Sequence, residues 1–174
     1  MTLPHTLSVL LDEELMTLTR AVGILRRRNL TIKSIAVGPS GTPGVSRLTI
    51  MLQSDEATAD RVARQLHKVV GVHEATMFPA RDGVARELAL VKVRADHSRY
   101  AELLDVALLY KATVVDESSE AAIFEVSGSE AFVLSFLRAL ERFEVLEVAR
   151  TGAVALDRAP VAGVPFSLTS ETVQ

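Results

Sequence analysis

An α+β fold of two tandem ferredoxin-like βαββαβ units is predicted by three features of the sequence. Short apolar runs alternating at period two are interleaved with segments whose apolar residues recur at helical spacing. The order strand-helix-strand-strand-helix-strand occurs twice, the second copy offset by roughly 80 residues. A Pro- and Gly-bearing stretch at 79–85 separates the copies and reads as a linker.

In the first copy, Leu7, Val9 and Leu11 alternate within a strand over 6–11. Asp12, Glu13 and Glu14 then break the run; they read as first-turn carboxylates that suit a helix dipole. Leu18, Ala21, Val22, Ile24 and Leu25 recur at helical spacing. Arg26, Arg27 and Arg28 close that helix, and Asn29 suits its C-terminal cap. A strand over 32–37, a Gly/Pro loop over 38–44 and a strand carrying Leu48, Ile50 and Leu52 follow. Ala59, Val62, Ala63, Leu66, Val69 and Val70 mark a second helix stopped by Gly71. Val72, Ala75 and Met77 mark the fourth strand.

The second copy repeats the order. A strand over 88–93 precedes a helix carrying Tyr100, Leu103, Leu104, Ala107 and Leu108. Strands over 113–116 and 122–126 flank a polar connection, and Asp116, Glu117 and Glu120 read as solvent-facing there. Val133, Phe136, Leu137 and Leu140 give the last helix, and 145–148 the closing strand. The predicted organisation is a first domain over 1–78, the linker over 79–85, a second domain over 86–158 and a mobile tail over 159–174.

Composition narrows the function classes. The 174 residues carry a net charge of −3, so the broad basic surface needed for non-specific nucleic-acid binding is missing. Cys and Trp are absent and aromatics are 5%, which removes thiolate metal sites, cysteine nucleophiles and a good supply of stacking platforms. The first residues lack a basic n-region, and no apolar run reaches the ~20 residues of a membrane span. A cytoplasmic protein with no membrane or nucleic-acid partner is expected.

Catalytic chemistry is poorly supplied. His5, His67, His73 and His97 show no HxH or HExxH spacing and read as solvated, with no metal site. The loop over 38–44 is Gly-rich, but it lacks a GK[ST] ending and leads into a strand, so it does not read as a phosphate loop. No nucleophile–base constellation is visible. A half-covered sheet of this size gains stability when a neighbour covers its open face or edge, which points to a sensor or an adaptor.

The residues also resemble a known family. TLSVLLD at 6–12, RAVG at 20–23, IKSIAVG at 32–38 and SRLTI at 46–50 look like the first ACT domain of acetolactate synthase (acetohydroxyacid synthase) small subunits. QLHKVV at 65–70, RELALVKV at 86–93, EVARTG at 147–152 and ALDR at 155–158 continue the match in order. The resemblance implies an ACT domain followed by a second ferredoxin-like domain, a homodimer through the ACT domains and no cofactor on this chain. It implies a large catalytic partner that uses thiamine diphosphate, magnesium and FAD in valine, leucine and isoleucine biosynthesis. It also implies activation of that partner, and valine feedback through an effector bound where two ACT domains meet.

The effector motif departs from the family pattern. Where the family has acidic-Asn-x-x-Gly-x-Leu, this chain has Asp12, Glu13, Met16 and Leu18, and Thr31 replaces an Asn at the second strand. Met for Gly removes positive φ and adds bulk; Glu for Asn removes amide donors and adds negative charge. Weak or absent valine binding with activation retained is therefore expected. Met16, Thr17, Leu18, Thr31 and Ile32 are the candidate effector residues. The loop from Pro39 to Arg47, taken as exposed and unconstrained, gives Pro39, Ser46 and Arg47 as candidate partner contacts. Two readings stay open beside this one: a stand-alone ACT-type amino-acid sensor acting on a different enzyme, and an RNA-binding ferredoxin-like module.

Overall fold

A computed structural model describes residues 2–26, 30–94 and 98–158. The expected helix end at Arg27, Arg28 and Asn29, the histidine His97 and the tail over 159–174 lie outside the described residues. The chain forms two compact units. One runs to Ala85 and takes in the segment from Val154; the other is Arg86–Ala153.

The first unit contains β1 (Leu3–Asp12), α1 (Leu15–Arg26), β2 (Thr31–Pro39), β3 (Val45–Ser54), α2 (Glu56–Leu66) and β4 (Val72–Pro79). Its sheet has the order β2-β3-β1-β4, with every pair antiparallel. Alternation decides which side chains meet the helices. Leu7, Val9 and Leu11 of β1 and Leu48, Ile50 and Leu52 of β3 pack with Ala21 and Leu25 of α1 and with Ala59, Val62, Ala63 and Leu66 of α2. Asp55 caps α2, its carboxylate accepting from the Thr58 N–H at 2.9 Å.

The opposite face of this sheet is less open than expected. Thr6, Ser8 and Thr49 are buried there. Thr6 donates to Met51 Sδ at 3.3 Å, and Arg47 donates to Ser8 Oγ at 2.5 Å. The short strand Val154–Asp157 contacts β1.

The second unit contains most of β5 (Gly83–Arg94), then α3 (Tyr100–Leu109), β6 (Thr113–Glu117), β7 (Ala121–Gly128), α4 (Glu130–Ala139) and β8 (Val145–Arg150). The sheet order is β6-β7-β5-β8, and the short strand Val154–Asp157 also pairs with β5. Ala89, Val91 and Val93 of β5 and Ala122, Phe124 and Val126 of β7 form the core with Leu103, Val133, Phe136 and Leu140. Both units are thus mixed α+β with the βαββαβ order.

Several local expectations change. Residues 79–85 are not a free connection: β4 ends at Pro79, a single 3-10 turn spans Ala80–Asp82, and β5 begins at Gly83. A Cβ on Gly83 would fall 2.4 Å from the Phe78 ring, so this stretch is packed. β9 (Val154–Asp157) lies inside the range assigned to the second domain and pairs with β5, while its contacts group it with the first unit, where the Arg158 N–H donates to the Asp82 carbonyl at 3.0 Å. Helix α1 starts at Leu15, so Asp12, Glu13 and Glu14 precede its first turn. Helix α2 stops at Leu66, leaving Val69 and Val70 in the following turn. Asp116 and Glu117 belong to β6, not to the connection after it. His5 is buried, with Nδ1 2.9 Å from the Leu3 carbonyl, and is not a solvated histidine. No helix among the described residues is long and apolar enough to cross a membrane.

Candidate functional site

Strand β1 ends in a turn held by three separate segments. The Asp12 N–H donates to the Gly71 carbonyl at 2.8 Å, and the Glu13 N–H donates to the Gly44 carbonyl at 2.9 Å. Glu14 N–H returns to the Asp12 carbonyl at 2.7 Å, and Leu18 N–H to the Glu14 carbonyl at 3.1 Å. Asp12 Oδ1 also meets His73 Nε2 at 2.7 Å. Gly71 has φ +87°, and a Cβ there would sit 2.7 Å from both Asp12 Oδ2 and Thr17 Oγ1. The turn therefore closes on a position that only glycine fills without strain.

This geometry places the first three effector candidates. Met16 is 59% exposed, Thr17 is buried against Gly71, and Leu18 packs on the first core. The N–H groups of Asp12 and Glu13 are already bonded to this chain's own carbonyls. Glu13 and Glu14 are exposed beside them. A ligand carboxylate at this turn would meet two negative side chains and find those two amide donors occupied.

The register places the other two candidates elsewhere. Thr31 pairs with Gln53, which pairs with Pro4; Pro39 pairs with Ser46, which pairs with Leu11. Strand β2 thus runs in the same direction as β1. Thr31 and Ile32 lie at the start of β1, whereas Met16, Thr17 and Leu18 follow its end. The β1 stretch from Pro4 to Leu11 separates them by about 23 Å at the usual strand rise. One chain does not bring the five candidates together.

The loop residues sit at the same end as Met16. Pro39 is exposed. Ser46 is buried, so its side chain is not presented to a partner. Arg47 lies on the sheet face opposite the helices, half-buried and bonded to Ser8, not in the loop. The loop is also tied within itself: Ser40 N–H donates to the Val45 carbonyl at 2.9 Å, and Thr42 N–H to Ser40 Oγ at 3.1 Å. Alternating strand geometry explains this outcome, because adjacent residues such as Ser46 and Arg47 must point to opposite faces.

Sequence reasoning missed Gly44, Gly71 and His73 as parts of this turn. Gly71 is legible as a helix stop, but its contact with Asp12 spans the whole first unit. It missed the character of the β2 edge as well. Among the described residues, strand β2 pairs only with β3. Ile35 and Val37 lie opposite Ile50 and Leu48 and share their helix-bearing face, yet they stay 40% and 51% exposed. Ile32 is 37% exposed at the same edge. An edge strand with three exposed β-branched side chains is a template for another strand. No group of three or more His, Asp or Glu that could hold a metal occurs among the described residues.

Comparisons with known proteins bear on both units. Residues 7–74 match a family model described as an AHAS small subunit-like ACT domain. Residues 86–159 match one described as the small subunit of acetolactate synthase. The chain is 36% identical over 156 residues to the acetolactate synthase small subunit of Mycobacterium leprae, covering 90% of this chain and 92% of the relative. It is 32% identical to a probable acetolactate synthase small subunit of Archaeoglobus fulgidus, covering 88% of this chain and 96% of that one. The crystal structure of the acetolactate synthase small subunit from Thermotoga maritima superposes with a TM-score of 0.81 at 34% identity, over 91% of this chain and 99% of that chain.

Proposed function

This chain belongs to the acetolactate synthase small-subunit family, and on that premise we propose that it is a cytoplasmic, non-catalytic regulatory subunit that activates a large catalytic partner. The partner implied by the family carries thiamine diphosphate, magnesium and FAD and serves valine, leucine and isoleucine biosynthesis. The chain itself contributes binding surfaces.

One observation carries the reading: among the described residues β2 is the edge strand of its sheet and exposes Ile32, Ile35 and Val37, and the candidate effector residues lie at opposite ends of it. Two copies joined antiparallel along β2, centred on Ile35, would set Thr31 of one copy across from Pro39 of the other. Thr31 and Ile32 of the second copy would then lie at the end that carries Met16, Thr17 and Leu18. The complete effector constellation is a property of this homodimer. Valine feedback through it is weakened or lost, because Met16 adds bulk and Glu13 adds charge where a bound amino acid would place its carboxylate. Pro39 and the exposed loop after it are the surface offered to the catalytic partner.

The test is acetolactate formation by the large subunit, with and without this chain, across added valine. The rate rises to a plateau as the chain is added and does not fall as valine is raised to about 1 mM, a level that would more than half-fill any site tighter than ~4 kcal/mol. No rise in rate would overturn the assignment. Strong inhibition by micromolar valine would overturn the claim of lost feedback.

A further inference from the structure

Helix α3 is apolar on nearly every side. Its ten residues, YAELLDVALL, hold only two charges, Glu102 and Asp105. Glu102 is already engaged: Arg99 and Arg142 meet its carboxylate at 3.2 and 2.9 Å. A helix of that composition is ordinarily buried all round. Here Leu103, Val106 and Ala107 are buried, but Leu108 and Leu109 are each 77% exposed and Leu104 is 39% exposed. Helix α4 of the same unit shows the ordinary outcome, with Glu130, Ser135 and Arg138 among its exposed residues.

Tyr100, Leu104 and Leu108 recur every four residues and form one stripe along α3. The Tyr100 hydroxyl faces the Glu117 carboxylate at the end of β6, and the chain turns after Leu109 into Thr113 at its start. The helix therefore runs alongside β6 in the opposite direction, with the stripe on the β6 side. Val114 of β6 lies opposite Phe124, shares its helix-bearing face and stays 39% exposed. Among the described residues β6 pairs only with β7. Leu104, Leu108 and Val114 thus make one apolar strip at the edge of the second unit. Two exposed charges flank it, Asp105 on the helix and Lys111 just past its end, and neither makes an ion pair among the described residues.

We propose that this strip is a second self-association surface, on which α3 of another copy packs antiparallel about a twofold axis at the level of Val106. Leu104 of each copy then meets Leu108 of the other. Lys111 of each copy lies opposite Ala101, within one turn of the other copy's Asp105. The strip is self-complementary in this arrangement alone: a helix acidic in its middle and basic past its end answers both of its charges only when it meets its own reverse. A partner surface of one sign would oppose either Asp105 or Lys111, and a plain apolar segment would leave both unanswered. A twofold contact of this kind closes on itself. It lies on a different unit from the β2 edge and does not rest on that reading.

Sedimentation equilibrium on the full chain tests it, in an Ile35→Lys background that disables the β2 edge. That variant should still dimerise, with a Kd at or below about 100 μM. Adding Leu108→Asp, with folding checked by the melting curve, should weaken the dimer about tenfold or more. Asp105→Lys or Lys111→Asp alone should weaken it about threefold, and the two together should restore it. Leu108→Asp in the otherwise unchanged chain should remain a dimer through β2; a monomer there would overturn the β2 reading and support this one. An Ile35→Lys chain that is monomeric at several hundred micromolar, a Leu108→Asp addition without effect, or a charge exchange that fails to restore association would each overturn the proposal.

Discussion

Glu87 sits on β5 only 6% exposed, and its carboxylate accepts from Arg150 of β8 at 2.5 Å. It lies in line with Ala89, Val91 and Val93, so the chain has placed a charge at the end of an apolar row. Removing the partner leaves that charge buried and unpaired, which costs more than the pair itself contributes. Arg150→Ala should lower the stability of the second unit by about 3 kcal/mol, at the low end for buried pairs because Arg150 is partly exposed; urea denaturation reads it. Gly71 gives a second residue-scale outcome. Ala there must adopt a positive φ and push into Asp12 and Thr17. A loss of about 1–2 kcal/mol or more is expected, with altered amide signals for Asp12 and Glu13. Acid sensitivity follows from two carboxylates. The side-chain and backbone hydrogen bonds from Thr58 hold Asp55 below its ordinary pKa, and the Arg94 guanidinium does the same for Glu144. Lowered folded-state values mean these contributions are complete above the ordinary carboxylate range and are lost as pH falls through the lowered values. The urea midpoint should therefore hold at neutral pH and fall on acidification below that range. Asp55→Asn and Glu144→Gln should flatten that fall.

At the scale of elements, edges and caps matter most. Helix α4 begins at Ser129, whose Oγ accepts from the Phe132 N–H at 3.3 Å. Ser129→Ala should cost about 1 kcal/mol, read from the same denaturation curves. The β2 edge carries the homodimer reading. Ile35→Lys puts charge at its centre, where two copies would face each other, and should weaken self-association by about tenfold or more in sedimentation equilibrium while each chain stays folded. Most elements were legible because periodicity survives in any strand or helix that buries one face. Leu7, Val9 and Leu11 alternate, and Phe136 and Leu140 recur at helical spacing, whatever packs on them. The missed strand, β9, has only Ala155 buried, so its four residues carry no usable period. The candidate site was legible only in part. The turn residues were found through their motif, but motif order is silent on strand direction. Only the β1–β3–β2 register reveals that Thr31 and Met16 lie at opposite ends. The turn chemistry of 38–44 marks no clear boundary with β3, so sequence reasoning extends the loop through Ser46 and Arg47.

The molecule as a whole is one supersecondary plan used twice, with cores of similar make-up and different surfaces. The first unit offers an apolar edge at β2 and a sealed turn with exposed carboxylates at Glu13 and Glu14. The second offers an apolar strip along α3 and β6. On the proposed reading, both surfaces act by binding. Reconstitution with the large subunit is the most direct measurement of that view. Acetolactate formation should increase saturably with this chain and should drop toward the unassisted rate when Ile35→Lys is substituted for it. A large subunit that works at the same rate with or without the chain would contradict the account.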